Sequence, residues 1–404
     1  MIVGAGAGQV PIINYCKQQG LYTIVVSPHG PYPGISIADK HIDEDIYNVD
    51  ALVDIGKKYD IDYVISDQSD FAVPIVAYVA EKLNLPGNSL EVACTYTYKT
   101  RFRDFCTRNK IPVPKSYEYD PTVSDINEVH KLKLPLVVKP TDSQGSRGII
   151  KINKFEDLDN AIKDALSFSK HKKVVIEEFF EGREVVCEGF VLNGEYYHVG
   201  FGDRVYFNLQ DKFIPSKTIF PSTINEKSKQ AIIINERRIA SLLKPTFGIV
   251  HSEYLINSDG DFIVIESALR GGGVYIASHL IPLSTGIDLT AVLFDAMIGD
   301  YQKCISHLTK QYEYSAEYLC FYLNEGTVTS MSDKNWIQDI PSIRVADIEN
   351  IKVGDDIPKF EHKGMRKGPF IISGRDLTEI NEVEDKIKEN LIIEVDDAQG
   401  INWN

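Results

Sequence analysis

Four groups of residues in this sequence have types and spacings that suit chemistry. The run Leu134-Pro-Leu-Val-Val-Lys139 closes an apolar strand on a lysine, which is costly unless an anion meets it. The next stretch, Ser143-Gln-Gly145-Ser146-Arg-Gly148, is small and glycine-rich, so its amides and hydroxyls can wrap phosphate oxygens. A plain hairpin turn has the same composition. It is not the G-x-x-x-x-G-K-[ST] loop, because the lysine precedes the glycines. The segment Glu177-Glu178-Phe179-Phe180-Glu181-Gly182-Arg183-Glu184 joins two strands. Extended backbone between aromatics suits the edge of a purine, and Glu184 after the turn suits ribose hydroxyls. A solvated acidic face has the same pattern.

The third group is His251-Ser-Glu253 with Glu266-Ser-Ala268-Leu-Arg270-Gly271-Gly272-Gly273. Pairing Ile256 with Asp261 around Asn257–Gly260 predicts His251 opposite Glu266 and Val264 opposite Glu253. Strand alternation then puts His251, Glu253 and Glu266 on one face. Carboxylates that close repel unless a cation lies between them, and oxygen-only ligation suits Mg²⁺ completed by phosphate oxygens. His251 leaves zinc open, and a solvent-facing acidic hairpin is the plainer alternative. Arg270 is suited to bidentate recognition of a carboxylate or phosphate. The fourth group, Gly4-x-Gly6-x-Gly8, follows a strand and opens a helix. It either presents amides to an anion or only permits a tight turn. The second strand ends at Val26-Ser27-Pro28 without an acid for a ribose, which disfavours a nicotinamide-dependent oxidoreductase.

The elements that must hold these groups alternate in the first 90 residues: strands at Met1–Val3, Leu21–Val26 and Tyr63–Ser66, helices at Val10–Gln19, Asp50–Tyr59 and Phe71–Leu83. That order predicts a parallel sheet. Helices over 91–112 stop before Pro112 and Pro114. Strands follow at Leu136–Lys139, Gly148–Ile152, Val174–Glu177, Glu184–Leu192 and Tyr196–Val199, with a helix at Phe155–Ser169. The Thr223-x-x-Glu226 spacing predicts a capping box for a helix to Leu243. Gly248–Ile256 and Asp261–Ala268 form a hairpin, and Leu289–Ile298 a helix. From about Tyr312 short strands with glycine turns dominate, with a helix at Glu382–Asn390.

Composition narrows the class. The 404 residues carry 43 Lys and Arg against 58 Asp and Glu, a net charge of −15. That disfavours nucleic-acid binding, which calls for a basic surplus. The longest apolar run, Phe71–Ala80, is too short to span a membrane and contains Pro74. Met1 leads straight into a strand without a basic leader, so no secretion signal is expected. The six cysteines, without a C-x-x-C pair, fit a reducing cytoplasm.

In this order, the groups resemble the ATP-grasp superfamily, and most closely its branch with glycinamide ribonucleotide synthetase, biotin carboxylase, the carbamoyl phosphate synthetase large-subunit domains and the L-amino-acid ligases. The resemblance implies an α/β and α+β chain. It divides into an N-terminal Rossmann-like, parallel-sheet substrate domain (1–90), a two-lobed ATP-grasp domain (91–311, mobile lobe about 113–185) and a C-terminal β-rich subdomain (312–404). It implies ATP and Mg²⁺ or Mn²⁺ as cofactors. Lys99, Lys139, Ser143, Gly145, Ser146 and Gly148 would meet the phosphates. Glu177, Glu178 and Phe180 would form the adenine hinge, largely through backbone, and Glu184 would hold the ribose. Glu253 and Glu266 would bind metal. Arg270 and Lys139 would be catalytic, and His251, Arg270, Gly271 and Gly272 would line the substrate. The implied reaction turns a carboxylate into an acyl phosphate and couples it to an amine, with small-molecule partners and a homodimer left open. Two departures stand out: Tyr98 replaces an Asp before the lysine, and Ala268 replaces the Asn of E-x-N. The latter leaves open a nucleotide-binding protein without catalysis. The E-x-A-x-R form resembles amino-acid ligases.

Overall fold

The computed structural model describes residues 1–141, 148–209, 213–273, 275–309 and 311–403. Strands β1 (Ile2–Val3), β2 (Ile24–Ser27) and β3 (Lys40–Asp43) pair in parallel in that order. Helices α1 (Val10–Gln18), α2 (Pro33–Ile37), α3 (Val49–Lys58) and α4 (Ala72–Leu83) complete this N-terminal part. Pro11 in the first turn of α1 forfeits no helical hydrogen bond. The strand expected at Tyr63–Ser66 shrinks to a parallel bridge between Ile65 and Ile2. The Ser66 hydroxyl donates to the Val3 carbonyl at 2.7 Å, the acceptor that the next rung of the ladder would need.

Helix α5 (Leu90–Thr97) is capped by Ser89, and α6 (Lys99–Arg108) stops short of Pro112. A small sheet follows, ordered β4 (Ser116–Tyr119), β7 (Val174–Glu178), β5 (Leu136–Pro140), β6 (Ile150–Ile152). Helix α7 (Leu158–Ser167) covers it through Leu158 and Ile162, against Leu136, Val138 and Ile176.

The large sheet contains β8 (Arg183–Leu192), β9 (Glu195–Tyr206), β10 (Pro215–Phe220), β11 (Phe247–Ile256) and β12 (Phe262–Ala268). Its order runs β12-β11-β8-β9-β10 and continues into β13 (Ser315–Leu323). Strand β8 is buried on both faces, which explains its nearly unbroken apolar run. Val185, Cys187 and Val191 pack with Ile232 and Ile239 of α8 (Glu226–Leu243). Val186 and Phe190 pack with Ile281 of α9 (Ile281–Thr285) and with Leu289 and Val292 of α10 (Leu289–Met297). The cap of α8 is Asn225, whose side chain accepts from Ser228 N. Thr223, expected there, turns away and donates its N–H and hydroxyl to Asp203, each at 2.8 Å.

The last hundred residues extend the same sheet through three strands and add a separate small one. After α11 (Tyr301–His307), β13 pairs with β10 on one side. Strands β14 (Gly326–Met331), β15 (Ile343–Ala346), β16 (Asp356–Ile357) and β17 (Lys367–Gly374) follow, and β17 pairs with β13 and β15. Strands β14 and β16 belong to the small sheet. Helix α12 (Leu377–Asn390) buries Ile380, Val383 and Ile387 against Leu319, Phe370 and Ile372. All six cysteines are free and buried. Among the described residues no single helix is long and apolar enough to cross a membrane. One bent pair, Ile276–Thr285 with Leu289–Met297, passes by length and composition, and much of it lies in the core.

The turn between β7 and β8 tolerates no side chain at Gly182. A Cβ there would lie 2.6 Å from the Ile256 carbonyl oxygen and 2.8 Å from its carbon, both backbone atoms. Gly182→Ala is expected to destabilise the protein by about 1–3 kcal/mol through overpacking. An unchanged urea midpoint would contradict this packing.

Candidate active site

Helix spacing places Lys99 and Arg103 one above the other on α6. Arg103 Nε donates to Glu177 Oε1 at 2.8 Å, and Nη1 donates to the Val264 carbonyl at 3.2 Å. The other Glu177 oxygen, Oε2, accepts from Lys139 Nζ at 2.5 Å. All three side chains are buried. Burial opposes the Glu177 charge, yet Arg103 and Lys139 hold its pKa down to about 2. Burial pushes Lys139 down despite Glu177. Glu177 thus spends its carboxylate on two cations. The neighbouring amides are also engaged, Glu178 N with the Lys115 carbonyl and Phe179 N with the Pro135 carbonyl, each at 2.9 Å. The Glu178 side chain accepts from Lys133 N at 3.0 Å. Phe180 follows, partly buried.

The second half of the site lies on one face of the large sheet. Glu184 and Glu188 lie four residues apart on one face of β8, and cross-strand pairing sets His251 beside Glu188. The hairpin register differs from the expected one. Ile256 pairs with Phe262, a bulge follows Glu253, and His251 faces Ala268. Glu253 and Glu266 are therefore direct cross-strand partners and not diagonal ones. Two shifts are the reason: pairing starts one residue later, at Phe262 instead of Asp261, and the bulge adds another residue that uniform alternation does not anticipate. The shared face of His251, Glu253 and Glu266 survives.

Cations already meet these acids. Arg204 Nη1 donates to Glu184 Oε1 at 2.7 Å and to Glu253 Oε1 at 2.5 Å. The Tyr206 hydroxyl donates to the other Glu184 oxygen. Burial and the nearby Glu253 charge push Glu184 up despite Arg204. Partial burial opposes the Glu253 charge, but Arg204 and His251 hold its carboxyl well below the usual carboxylate range. Lys99 Nζ donates to Glu266 Oε1 at 3.0 Å. Burial works against the Lys99 charge, and Glu266, Asp70 and Glu253 raise its pKa.

A third side comes from the N-terminal part. Arg270 clamps Asp70 bidentately, Nε to Oδ1 at 2.7 Å and Nη2 to Oδ2 at 3.1 Å. Gly271 N donates to Asp67 Oδ1 at 2.8 Å. His251 Nδ1 bonds Glu188, and Nε2 lies 3.4 Å from Glu253 Oε1. Burial alone would lower His251, but Glu188 raises it to about 9. Gly272 lies against this pair: a Cβ would sit 2.7 Å from Glu188 Oε1 and 2.9 Å from His251 Nδ1. The glycines here are a close-approach requirement. At the N-terminus, Gly6 N donates to Gln9 Oε1 at 3.0 Å, so the chain itself fills that amide, and Gly4 takes φ +92°. This favours the tight-turn reading over an anion cradle.

Gly148, at φ +70°, packs on Phe168 and Pro140. Ser143, Gly145 and Ser146 lie outside the described residues. Among the described residues no group of three His, Cys, Asp or Glu side chains is arranged to hold a metal alone. Glu253 and Glu266 form a pair in which the ion pairs engage only Oε1 of each. Two carboxylates fit Mg²⁺ or Mn²⁺ that arrives with phosphate oxygens, and do not fit a protein-only cage.

Sequence reasoning missed Arg103, Arg204, Tyr206 and Glu188. Two left a signal: Arg103 is four residues after Lys99 on one helix, and Glu188 four after Glu184 on one strand. Arg204 and Tyr206 left none, because the strand was expected to end at Val199.

Residues 132–278 match the family model for the ATP-grasp domain. The chain carries an ATP-grasp domain. It is 27% identical over 182 residues to the D-alanine–D-alanine ligase of Parabacteroides distasonis, covering 43% of this chain and 54% of that protein. The chain thus spans about half the length of that curated relative. It is 23% identical over 290 residues to the phosphoribosylamine–glycine ligase of Vibrio parahaemolyticus, 67% of each chain. In structure it resembles the L-amino acid ligase from Bacillus licheniformis, with a TM-score of 0.80 at 19% identity over 98% of both chains. The fold is therefore the ATP-grasp one over nearly the whole chain, with a parallel N-terminal sheet and antiparallel sheets after it.

The clamp on Glu177 predicts a pH signature. Its folded pKa of about 2 lies below the ordinary carboxylate value of 4.5. Its contribution is complete above the unfolded value and is lost as pH falls through the folded one. Glu177→Gln leaves two buried cations short of a partner and is expected to cost about 3–5 kcal/mol at neutral pH. In urea unfolding, the gap to wild type should narrow below pH 4.5 and close near pH 2. A gap constant down to pH 2 would refute the clamp.

Proposed function

We propose that this protein is an ATP-dependent carboxylate–amine ligase. The observation that carries the reading is the directly opposed Glu253–Glu266 pair, flanked by Lys99 and Arg204, on the sheet face that Arg270 and His251 also reach. Such a surface offers carboxylates to a metal–nucleotide and cations to its phosphates. The ATP-grasp match and the ligase names of the relatives support the same reading.

In the proposed reaction a carboxylate oxygen attacks the γ-phosphorus of ATP, the bond to the β-phosphate bridging oxygen breaks, and ADP leaves. An amine nitrogen then attacks the acyl carbon of the acyl phosphate, the C–O bond breaks, inorganic phosphate leaves, and the amine gives up a proton. The chief obstacle is repulsion between the carboxylate and the triphosphate. Lys99, Lys139 and Arg270 would neutralise part of that charge, in a partly buried setting where it counts for more than in water. Glu253 and Glu266 would hold Mg²⁺ or Mn²⁺, which would supply further positive charge at the phosphates. Glu184 would accept from ribose hydroxyls once Arg204 shifts its weight toward Glu253, and the hinge at Glu177, Glu178 and Phe180 would take the base. Arg270 and Asp70 present opposite charges side by side, suited to a small zwitterionic acid, with His251, Gly271 and Gly272 beneath.

The test is phosphate release from Mg²⁺-ATP across a panel of carboxylic acids crossed with amines. Release that needs one acid and one amine is the expected result, and ATP binding without release from any pair would favour a non-catalytic binder. Two variants sharpen it. Glu266→Gln keeps the shape and should raise the Mg²⁺ concentration needed for turnover steeply. Were these acids only solvent-facing, the Mg²⁺ titration would not move. Lys139→Ala should weaken ATP binding about tenfold to a hundredfold, the value of a charge-assisted hydrogen bond. Equal affinity by calorimetry would remove Lys139 from the site.

A further inference from the structure

The bulge in the β11–β12 hairpin decides which way Glu266 points. From the turn up to the bulge the pairs are Ile256 with Phe262, Leu255 with Ile263 and Tyr254 with Val264. Beyond it they are Glu253 with Glu266, Ser252 with Ser267 and His251 with Ala268, so Ile265 is the extra residue. Side chains alternate along a strand, and Val264 packs in the apolar layer that contains Ile232 and Ile239 of α8. An unbroken β12 would send Glu266, two residues on, into that same layer. The extra residue reverses the alternation and turns Glu266 to the face of Glu253, where Lys99 meets it.

The bulge is gripped from both faces of the hairpin's ladder and from its edge. Just past it, Ser252 and Ser267 stand opposite each other on the α8 side and share a hydrogen bond between their hydroxyls at 2.8 Å; both are fully buried. Just before it, the Tyr254 hydroxyl donates to Glu236 Oε1 at 2.5 Å and accepts from Asn235 Nδ2 at 3.0 Å, both from α8. Along the outer edge, Val264 N donates to the Pro112 carbonyl at 2.9 Å, and the Val264 carbonyl accepts from Arg103 Nη1. Of these contacts the serine pair depends most directly on register. In straight pairing Ser252 would lie opposite Glu266 instead of Ser267, and the carboxylate would be buried beneath α8, away from Lys99.

We propose that Ser252 and Ser267 are positioning residues for the metal: their buried hydrogen bond holds the bulge that keeps Glu266 opposite Glu253. This rests on the reading of that acid pair as the metal–nucleotide site. The two hydroxyls lie on the far side of the sheet from the acids and would touch neither metal nor nucleotide, so their effect passes through the register of the hairpin.

The experiment titrates Mn²⁺ into wild type and variants with the β,γ-imido analogue of ATP at a fixed concentration, and reads the Mn²⁺ concentration at half-maximal analogue binding. Ser252→Ala and Ser267→Ala are each expected to raise it about tenfold, in the range for groups that orient a metal ligand from behind. Full binding at high Mn²⁺ shows that a variant is folded. The double variant should be no worse than the weaker single one, because all three lose the same bond. Ser284→Ala removes a similarly buried hydroxyl bond, to the Leu280 carbonyl on the other side of the core, and should leave the Mn²⁺ requirement unchanged. An unmoved requirement in both serine variants, an equal shift in Ser284→Ala, or losses that multiply in the double variant would overturn the proposal. Glu266→Gln separates it from the reading beneath. A shift there without one in the serine variants removes only the positioning role, and no shift in any of them removes the metal site as well.

Discussion

Everything at this site depends on keeping several carboxylates charged inside a protein. Glu184, Glu188, Glu253 and Glu266 share one sheet face, and Asp67 and Asp70 approach from the N-terminal part. A buried carboxylate without a partner is expensive enough to take up a proton instead. Here nearly every one has a cation or a donor: Arg204 for two, Lys99 for one, His251 for Glu188, Arg270 for Asp70, a backbone amide for Asp67. Under the proposed function, binding a metal–nucleotide to such a surface would be an exchange of partners. Glu253 and Glu266 would turn to the metal ion, the released lysine and arginine would turn to the phosphates, and the charge balance of the interior would change little. That balance would make a highly charged ligand admissible in a partly buried site.

The exchange needs positions set more finely than sequence spacing alone can do. The bulge after Glu253 aligns it with Glu266. Gly271 and Gly272 let the strand-to-helix segment lie directly on Asp67, Glu188 and His251, where a methyl group would collide. The clamp of Glu177 by Arg103 and Lys139 ties α6, β5 and β7 together, so the small sheet and the helix that carries Lys99 are joined by a charge. A loss at Glu177 would thus disturb the mutual placement of the small sheet and α6 as well as one lysine.

Much of this was legible in the sequence, for reasons that can be named. The apolar run at Leu136–Lys139 and the alternation at His251–Glu253 encode strand and face directly, because side-chain direction on a strand has a period of two. The resemblance to ATP-grasp ligases rested on the order of such pieces. What stayed hidden was long-range. The partner of Arg270 is Asp70, 200 positions away in sequence, and the two partners of Arg204 come from two other strands. The bulge left no residue signature, and the cap at Asn225 was masked by Thr223, whose hydroxyl had a tertiary acceptor in Asp203. Strand β9 was expected to end at Val199; in the structure it runs on through Gly200 and Gly202, which clear space for the Phe220 ring beside them.

The same sheet also contains the opposite solution to a buried acid, and the contrast bears on what the site is for. Glu317 on β13 is fully buried, and neither of its oxygens has a hydrogen-bond partner among the described residues. Burial, helped by the Glu384 charge, pushes its pKa up to about 8, so it stays protonated at neutral pH and no cation is needed. Glu253, half-buried on the same sheet, is instead held charged by Arg204 and His251. Protonation is the less demanding solution, since it fixes no second side chain. A fold that keeps Glu253 ionised maintains a charge that neither packing nor burial asks for. Under the proposed function that charge would meet a cation arriving with the nucleotide.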